Sequence, residues 1–471
     1  MNKKIGIVWI RNDFRLLKND ALIYASKNHE KVSVLYIYKK KDFSNRSAQK
    51  WWLFQSLKNF KSKLDQFNIT LETVEAKSYR EVFESISKKK NFSIYWNKVY
   101  EPDFLLFDKK ITNFLKLKNI NSKIFKGNLL NESNEIKKND NTPFKVFTPF
   151  WRVAEKYYLD KGFQKVEKIK SKKKKVKFLD QSIKLQNMFP EKQWSKKFED
   201  FWKPSEDEAI KKIKYFIDNG LDEYGVNRDI PGIKGTSKIS PYLAFGQIHV
   251  ETIWDVCQVN KNKGYRKYIN ELGWREFSHS LINYFPEMLK GNLRKDFDNF
   301  PWQNNPKNLK AWKKGATGYP IVDAGMREMY ETGWMHNRVR MITASFLVKH
   351  LRIHWQEGEK YFRDCLLDFN EANNIAGWQW VAGCGADAAP YFRIFNPILQ
   401  GEKFDSKGEY VKKWVPELSN VPKEFIHKPW ELNKKIDGFE LGKTYPKPIV
   451  IHEEARNAAL EAFKKIKKKT I

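Results

Sequence analysis

Short continuous runs of apolar residues mark the first quarter of the chain. Between them lie charged segments, such as 48–67 and 104–117, in which apolar residues recur about every 3.6 positions, as on one face of a helix. Apolar runs that alternate with amphipathic helices are typical of a parallel sheet buried on both faces. The pattern predicts five strands, at 5–10, 32–38, 69–74, 93–100 and 122–125.

This α/β domain lacks the signature of a dinucleotide-binding fold. A Rossmann site has a G-x-G-x-x-G turn directly after its first strand. Arg11, Asn12, Asp13 and Phe14 stand at that place instead. We therefore expect no dinucleotide to bind at the end of the first strand.

The pattern changes twice further along the chain. From about 131 to 204 it is rich in Lys, Asn and Ser, which predicts an interdomain connector. Its apolar part, 142–151 (TPFKVFTPFW), should pack on a domain, whereas the lysine run 170–177 should be solvated. Beyond 205 helical periodicity continues without strands. We predict an α/β domain at 1–130, a connector at 131–204 and a larger all-α domain at 205–471.

Charge and composition add a preference for polyanions. The chain has 88 Lys and Arg against 56 acidic residues, a net charge of +32. Such a charge favours nucleic acid and gives binding that weakens as salt rises, although part of the excess is simply solvated lysine. The length of 471 residues with 41% hydrophobic content predicts two packed cores. Seventeen Trp residues favour stacking or redox roles for a few of them.

The three cysteines, Cys257, Cys365 and Cys384, lie far apart in the chain. They suit a reducing compartment, exclude a disulfide scaffold and are too few for a four-cysteine iron–sulfur cluster. No metal site is predicted. The start of the chain does not resemble a signal peptide, and no stretch has the ~20 apolar residues of a membrane span. We expect a soluble, cytoplasmic protein that does not bind membranes.

Candidate chemistry concentrates between 333 and 397. The segment GWMHNRVRMITASFLVKHLRIHW predicts one helix, with four polar side chains near its start: His336, Asn337, Arg338 and Arg340. A second polar group precedes Trp378 and Trp380 and consists of Asp368, Asn370, Asn373 and Asn374. Such side chains can hold a large planar cofactor with polar edges. A buried polar network inside a helical bundle explains the same residue types equally well.

Two further segments allow both a structural and a functional interpretation. A helix start follows Gly235, where Thr236 and Ser237 can cap the helix or attract phosphate. A second group shares one face of a helix and consists of Glu271, Trp274, Arg275 and Ser278. Taken alone, the first is usually only a cap and the second is usually core plus solvent.

Several long segments of the sequence resemble those of one known family. The segments IVWIRNDFRL, GWMHNRVRMITASF, NNIAGWQW and DAAPYFRIFNP closely resemble those of the DNA photolyase and cryptochrome family, and most of all bacterial cyclobutane pyrimidine dimer photolyases. The resemblance runs from Ile7 to the end of the chain and is weakest in the lysine-rich middle. It implies an α/β antenna domain with a parallel sheet, followed by a larger all-α FAD-binding domain.

The resemblance also implies roles for individual residues. FAD would be bound by Tyr224, Thr236, Ser237, Lys238, Ile239, Ser240, Glu271, Arg340, Asp368, Asn370 and Asn374. Within this set, Arg340 and Asp368 would lie beside the isoalloxazine ring, and Asn374 would face its reactive nitrogen. Asn370 stands where many relatives have a second Asp, so one hydrogen bond at the flavin edge changes partner.

The resemblance further implies a lesion cavity, a DNA surface and an electron relay. The catalytic residues would be Glu271, Trp274, Asn337, Met341, Asn374 and Trp380. DNA would contact Arg228, Trp274, Arg275, Arg338, Arg393 and Gln400. Electrons would reach the flavin through Trp302, Trp355 and Trp378, each of which would otherwise be interpreted as core.

An antenna chromophore is also expected. Phe104 and Leu289 stand where folate-binding relatives of one class have Glu and Cys, which weakens the match. The segments WNKVYEP and YPKPIV are closer to bacterial enzymes related to plant cryptochromes. Methenyltetrahydrofolate is therefore the favoured antenna.

These features predict an enzyme, a deoxyribodipyrimidine photo-lyase that uses blue light and reduced FAD to repair cyclobutane dimers. Three alternatives stay open: a photosensory cryptochrome, a (6-4) photolyase and a basic DNA-binding protein without activity. Asn374 and the short tail disfavour the first alternative. The absence of a second His beside His336 disfavours the second. We expect a monomer whose partner is damaged DNA.

Overall fold

The computed structural model describes residues 5–162, 166–180, 182–188, 193–259, 261–388 and 392–468. Packing divides the chain into two compact units. The first unit comprises Met1–Asn219, Lys238–Tyr284 and Leu367–Asn370, and the second comprises Gly220–Ser237, Phe285–Leu366 and Glu371–Ile471. Because the units follow packing and not chain order, they do not coincide with the ranges 1–130, 131–204 and 205–471. Those ranges remain a prediction.

The first unit contains a parallel five-stranded sheet, as predicted. Its strands are β1 (Ile5–Ile10), β2 (Lys31–Tyr38), β3 (Thr70–Glu75), β4 (Phe92–Asn97) and β5 (Asn121–Phe125). They are ordered β3-β2-β1-β4-β5, and every pair is parallel. The connections include α1 (Asp20–Asn28), α2 (Ser47–Asp65), α3 (Tyr79–Ile86) and α4 (Pro102–Leu117). The predicted strands agree with these bounds to within a few residues.

The central strands are buried along almost their whole length because both faces of the sheet are covered. The core beside β1 and β4 is largely aromatic, with the ring of Trp9 lying 5.1 Å from Phe83 and 5.9 Å from Trp96. Edge-to-face ring pairs of this kind add to the stabilisation from burial. This explains why the strands read as continuous apolar runs and not as alternating ones.

The carboxyl ends of β1 and β4 form the point at which the strand order reverses, the usual ligand crevice of an open α/β sheet. Here the crevice holds the chain's own side chains. Arg11 forms an ion pair with Asp108, with N–O distances of 2.8 and 3.0 Å, and lies 4.5 Å from the ring of Trp9. Asp13 accepts a hydrogen bond from Asn97 at 2.6 Å. The residues found in place of a glycine-rich turn therefore close the crevice.

The connector is ordered over most of its described length. Its apolar part leads into α5 (Phe147–Asp160), which packs on the first unit as predicted. The lysine run was predicted to be solvated, and this is wrong for Lys172, which is 7% exposed. Its ammonium group donates hydrogen bonds to the carbonyls of Ser26 and His29. These acceptors lie in the last turn of α1 and at its C-cap, where the connector passes close to the backbone.

The remaining described helices of the first unit are α6 (Leu185–Met188), α7 (Glu206–Asn219), α9 (Ser240–Ala244), α10 (Val250–Val259) and α11 (Tyr265–Tyr284), with 3₁₀ turns at Lys40–Phe43 and Gln193–Asp200. Those of the second unit are α8 (Tyr224–Asn227), α12 (Pro306–Lys314), α13 (Pro320–Thr332), α14 (Asn337–Ser345), α15 (Trp355–Cys365), α16 (Glu371–Ala382), α17 (Pro397–Phe404), α18 (Glu409–Trp414) and α19 (His452–Lys468). Its 3₁₀ turns are Pro286–Leu289, Lys295–Asn299, Pro416–Leu418 and Pro429–Glu431.

The prediction of one helix through GWMHNRVRMITASFLVKHLRIHW is wrong at both ends. The helix begins at Asn337, capped by His336, and continues from α14 into a π-helical turn at Phe346–His350. Arg352 then has a φ of 50°, which ends the helix before α15 begins. Lys349 lies in the π turn, and its buried Nζ donates to the carbonyl of Ala382 at 2.9 Å. Periodicity alone does not reveal this register change.

All three cysteines are buried, and no disulfide bond joins them. Burial raises the pKa of the Cys257 and Cys384 thiols to about 12, which disfavours the reactive thiolate. Among the described helices, none combines the length and the apolarity that a bilayer crossing demands.

Candidate functional site

Helix α11 in the first unit presents a carboxylate and an indole one turn apart. Glu271 and Trp274 are both half-buried. The indole of Trp274 stacks on Phe147, with ring centroids 3.9 Å apart and planes 8° from parallel. Phe147 opens α5, so the connector supplies the support. One face of Trp274 is thereby covered by a parallel ring that fixes the indole plane.

Arg275, the next residue of α11, lies in a different environment. Its side chain is 12% exposed and its Nη1 lies 3.5 Å from Oε1 of Glu276. Burial lowers the pKa of Arg275. The assignment of Arg275 to DNA binding remains a prediction.

Glu276 was not singled out by sequence, yet it joins α11 to the connector. Its Oε2 accepts hydrogen bonds from the backbone amides of Leu130 at 3.0 Å and Asn131 at 3.2 Å. Burial raises its pKa to about 6, against the lowering effect of Arg275. The two amide donors satisfy the carboxylate, as a buried polar group requires.

Asp368 and Asn370 lie in a short segment of the first unit. Oδ2 of Asp368 accepts a hydrogen bond of 2.6 Å from the hydroxyl of Ser240, the first residue of α9. The segment is fixed by Gln49, whose Nε2 donates to the carbonyls of Leu367 at 3.2 Å and Phe369 at 2.8 Å. The structure thus brings together two predicted flavin-binding residues that are 128 positions apart.

The predicted phosphate-binding turn depends on a close backbone approach. A Cβ at Gly235 would lie 2.2 Å from the carbonyl oxygen of Asn227, so only glycine fits there. Tyr224 is buried and Thr236 and Ser237 are half-buried. Further along, the exposed Lys238 has a φ of 51°, and Ile239 is buried. The glycine is therefore explained by packing.

In the second unit, Asn374 on α16 is oriented by α15. Its Nδ2 donates to Oε1 of Glu359 at 3.0 Å, and the same oxygen accepts from Arg363 at 2.8 and 3.0 Å. Because a carboxylate only accepts, the amide orientation is determined, and the carbonyl oxygen of Asn374 points away from Glu359. One turn further, a Cβ at Gly377 would meet no atom within 4 Å. This combination suits a planar group that donates a hydrogen bond.

The polar start of α14 has a mixed environment. Asn337 is exposed and Met341 is half-buried. Nε of Arg340 donates to the carbonyl of Met335 at 2.8 Å. On α16, the indole N–H of Trp380 donates to the carbonyl of Asp387 at 3.0 Å, so its ring orientation is fixed.

The three predicted relay tryptophans have different neighbours. Trp302 lies 4.8 Å from the ring of His354, which lies 5.6 Å from Trp355. Trp355 is fully buried and donates to Asn292 at 2.8 Å. Trp378 is buried, and its ring centroid lies 4.9 Å from that of Phe362 and 6.2 Å from that of Trp312. Sequence reasoning did not single out Trp312 or Phe362.

An open cleft in the second unit gathers predicted DNA-binding residues. It has a volume of about 530 Å³ and is lined by Asp229, Arg338, Arg393, Ile394, Phe395, Asn396, Leu399, Gln400, Lys403 and Phe404. Arg338, Arg393 and Gln400 were all predicted from the resemblance. The motif DAAPYFRIFNP supplies part of the lining, although its Ala389, Pro390 and Tyr391 lie outside the described residues.

Comparison with known proteins gives a consistent result. A family model described as the FAD-binding domain of DNA photolyase matches residues 268–465, and one described as DNA photolyase matches 6–170. The chain is 43% identical to a deoxyribodipyrimidine photo-lyase from Agrobacterium fabrum, over 98% of both chains. The chain belongs to the DNA photolyase and cryptochrome family.

A solved photolyase structure and a plant cryptochrome also match this chain over nearly its whole length. A solved structure of a bacterial class III photolyase from Agrobacterium tumefaciens has a TM-score of 0.93 and 41% identity, and covers 99% of this chain and 98% of that one. Cryptochrome-2 from Arabidopsis thaliana is 32% identical over the whole chain and 80% of its own length. The fold prediction is thereby confirmed.

Membership of the photolyase family makes FAD the cofactor. Donor and acceptor groups of the kind that binds a flavin edge are present in each unit, at Asp368 and Asn370 in the first and at Arg340 and Asn374 in the second. In the second unit a Cβ at Gly377 would also meet no atom within 4 Å. The contact of these groups with FAD remains a prediction. The contacts that sequence reasoning missed are supporting ones. Phe147 lies 127 positions before Trp274, and Glu359 lies 15 before Asn374. Their roles follow from packing and carry no motif.

Proposed function

We propose that this protein repairs cyclobutane pyrimidine dimers in DNA under blue light. Family membership supplies FAD binding and a relation to DNA-repair enzymes; the substrate is our inference. The observation that carries it is the parallel stack of Phe147 on Trp274. It fixes the plane of an indole beside Glu271, so that a flat pyrimidine can stack on the indole while the carboxyl group binds its edge.

Bound and reduced FAD supplies the light-driven electron that splits the dimer and takes that electron back, so the repair is redox-neutral. The protein's own tasks are to bind, orient and exclude water. Trp274 stacks on the extruded bases, whose unstacking is least costly where DNA is already damaged. By resemblance, Asn337, Met341 and Trp380 also contact the lesion. Asn374, oriented by Glu359, would offer its carbonyl oxygen as an acceptor to an N–H group of the bound flavin.

A (6-4) photolyase is disfavoured by the environment of His336. Repair of that lesion relies on histidines that transfer protons. His336 is 2% exposed, and its Nδ1 accepts the backbone N–H of Arg338 at 3.2 Å, so the ring acts as a helix cap. The neighbouring position is Asn337, an amide that does not transfer protons near neutral pH.

The experiment is a repair assay on duplexes that carry one defined lesion, with and without blue light and with the flavin reduced beforehand. We expect loss of cyclobutane dimers only in the light and no loss of (6-4) products. Dark repair, or repair of (6-4) products alone, would overturn the proposal. Lesion binding without any repair would instead favour a photosensory cryptochrome, the kind of protein that Cryptochrome-2 represents among the relatives.

We propose methenyltetrahydrofolate as the antenna and a monomeric state in solution. The crevice between β1 and β4 is filled by the ion pair of Arg11 and Asp108, so an antenna would bind elsewhere. An absorption spectrum of the purified protein tests the first point: a pterin band beside the flavin bands is expected, and flavin bands alone would contradict it. Sedimentation analysis tests the second.

A further inference from the structure

Asp229 in the second unit joins two arginines that were predicted to contact DNA. Its Oδ1 lies 2.8 Å from Nη2 of Arg338 and 3.8 Å from Nε of Arg228. Arg228 is its neighbour in sequence, whereas Arg338 is on α14, 109 positions away. One carboxylate oxygen therefore connects two basic groups from separate elements.

An aromatic ring also constrains each arginine. The guanidinium of Arg338 lies 4.4 Å from the ring of Phe404, and that of Arg228 lies 5.4 Å from the ring of Tyr224. Their side chains are only 21% and 12% exposed, respectively. A guanidinium held between a carboxylate and a ring has lost most of its rotamer freedom before any ligand binds, which lowers the entropic cost of binding.

The carboxylate is unexpected where it lies. The same cleft contains Arg393 and Lys403, both exposed, and a cleft of this composition attracts phosphate. Asp229 is 32% exposed and repels phosphate. If the cleft served only to attract DNA, this carboxylate would weaken binding, so its contacts must contribute something other than affinity.

We propose that Asp229 is a positioning residue for damaged-DNA recognition, an inference that rests on the proposed function. Through its 2.8 Å ion pair with Arg338, it holds that guanidinium in the orientation that meets the phosphates of a backbone distorted around a lesion. By its charge, it weakens binding to regular duplex. Asp229 thus exchanges general affinity for discrimination, as specificity by repulsion requires.

The test measures affinity for two duplexes of one sequence, with and without a single cyclobutane dimer, at several salt concentrations. Asp229→Asn removes the charge and keeps the shape. We expect affinity for undamaged duplex to rise, affinity for damaged duplex to fall, and their ratio to fall roughly tenfold, the size of effect that loss of one charge-assisted hydrogen bond gives. Asp229→Glu, which retains the carboxylate, should recover part of the ratio.

Two further variants isolate the cause. Glu402→Gln makes the same charge change on α17, where Glu402 pairs with Lys428 at 3.4 Å, and should raise both affinities alike with the ratio unchanged. Phe404→Leu removes the ring beside Arg338 and should lower the ratio as Asp229→Asn does. Combined with Asp229→Asn, it should add little, because both act on one guanidinium.

The outcomes separate this proposal from the proposed function. A parent protein without preference for damaged duplex would overturn both. A parent that prefers the lesion, with Asp229→Asn raising both affinities equally as Glu402→Gln does, would overturn the role of Asp229 alone. If Asp229→Asn fails to fold, Phe404→Leu takes its place. An unchanged ratio of affinities for damaged and undamaged duplex in Phe404→Leu would then overturn the role of Asp229.

Discussion

Single side-chain contacts decide what a ligand meets in this protein. Asn374 could present either end of its amide, and the carboxylate of Glu359 takes the NH2 group, so that the carbonyl oxygen is the end that the proposed flavin site would receive. The cost of burying Glu359, which is 4% exposed, is offset by Arg363, which donates two hydrogen bonds to it. At this scale the protein contributes orientation more than reactivity.

The buried carboxyl of Glu276 predicts a dependence of stability on pH. Its folded pKa of about 6 exceeds the ordinary 4.5, so the folded state binds more protons between these values. Stability therefore falls as pH rises through the window, by about 2 kcal/mol from this group. Relative to Glu276→Gln, the parent's free energy of unfolding in urea should decline by that amount between about pH 3.5 and pH 7, with most of the decline between pH 4.5 and 6. If the free energy of unfolding had the same pH dependence in both proteins, the raised pKa of Glu276 would be contradicted.

Trp378 is predicted to carry electrons into oxidised flavin and to take no part in repair. Trp378→Phe keeps a ring in the buried site, so the packing loss should be modest, on the order of 1–3 kcal/mol. The variant should bind FAD but fail to photoreduce it with an external donor, and should repair dimers at near the parental rate after reduction with dithionite.

Trp312→Phe is the matched control for that experiment, because Trp312 is also buried and lies 6.2 Å from Trp378. It should photoreduce normally if electrons come through Trp355 and Trp302. Loss of photoreduction in Trp312→Phe would move the relay to the side of Trp312. Normal photoreduction in Trp378→Phe would show that another donor feeds the flavin.

At the scale of elements, the connector completes the first unit. Helix α5 packs on α11 and brings Phe147 against Trp274, and the lysine-rich part passes close to the backbone at the C-terminal end of α1. A segment of this length with few apolar residues would ordinarily be free. Here its contacts stabilise the fold, through Lys172, and support the candidate site, through Phe147.

Phe147→Leu should weaken damaged-DNA binding by releasing the plane of Trp274. The ring stack is worth about 0.5–1.5 kcal/mol beyond its buried area, so we expect a several-fold higher KM in the light-driven assay. Phe150→Leu is the control: it makes the same substitution on the same helix, at a ring that contacts Phe144 and Phe277. Equal losses of binding in the two variants, matched by equal losses of stability, would indicate that Phe147 acts only through the fold.

Lys172→Ala should destabilise the first unit. Burial lowers the pKa of Lys172, yet its ammonium group has two carbonyl acceptors, and hydrogen bonds to charged groups contribute about 1.5–3 kcal/mol. We expect a loss of stability of that order, seen as a lower midpoint in urea. The neighbouring Lys173 is exposed, and Lys173→Ala should change stability by less than about 0.5 kcal/mol. Equal effects would mean that Lys172 is solvated after all.

For the whole molecule, the net charge of +32 predicts that DNA binding weakens as salt rises. Arg393 is exposed in the cleft, so Arg393→Ala should lower affinity for every sequence alike. It should also make the slope of log K against log salt less negative, by roughly the amount that one phosphate contact contributes. Lys110→Ala removes an exposed charge on α4 and should leave the slope unchanged. A parental slope in Arg393→Ala would show that Arg393 does not contact DNA.

Most strands of the sheet and the family could be predicted from the amino-acid sequence alone. Strands buried on both faces appear as apolar runs because every position is covered, and β1 was predicted to the residue for this reason. The residues of the candidate site were found because long segments resemble known photolyases, and such segments keep local chemistry together. Periodicity failed where backbone geometry changes within a helix, at Phe346–His350.

The supporting contacts of the candidate residues follow from tertiary packing. Glu359 contacts Asn374, Phe147 contacts Trp274 and Asp229 contacts Arg338 across 15, 127 and 109 positions, respectively. No periodic pattern links such pairs, because their distances depend on how helices pack. The solvation of a lysine likewise depends on what lies nearby, so Lys172 was predicted as surface but is buried against two carbonyls.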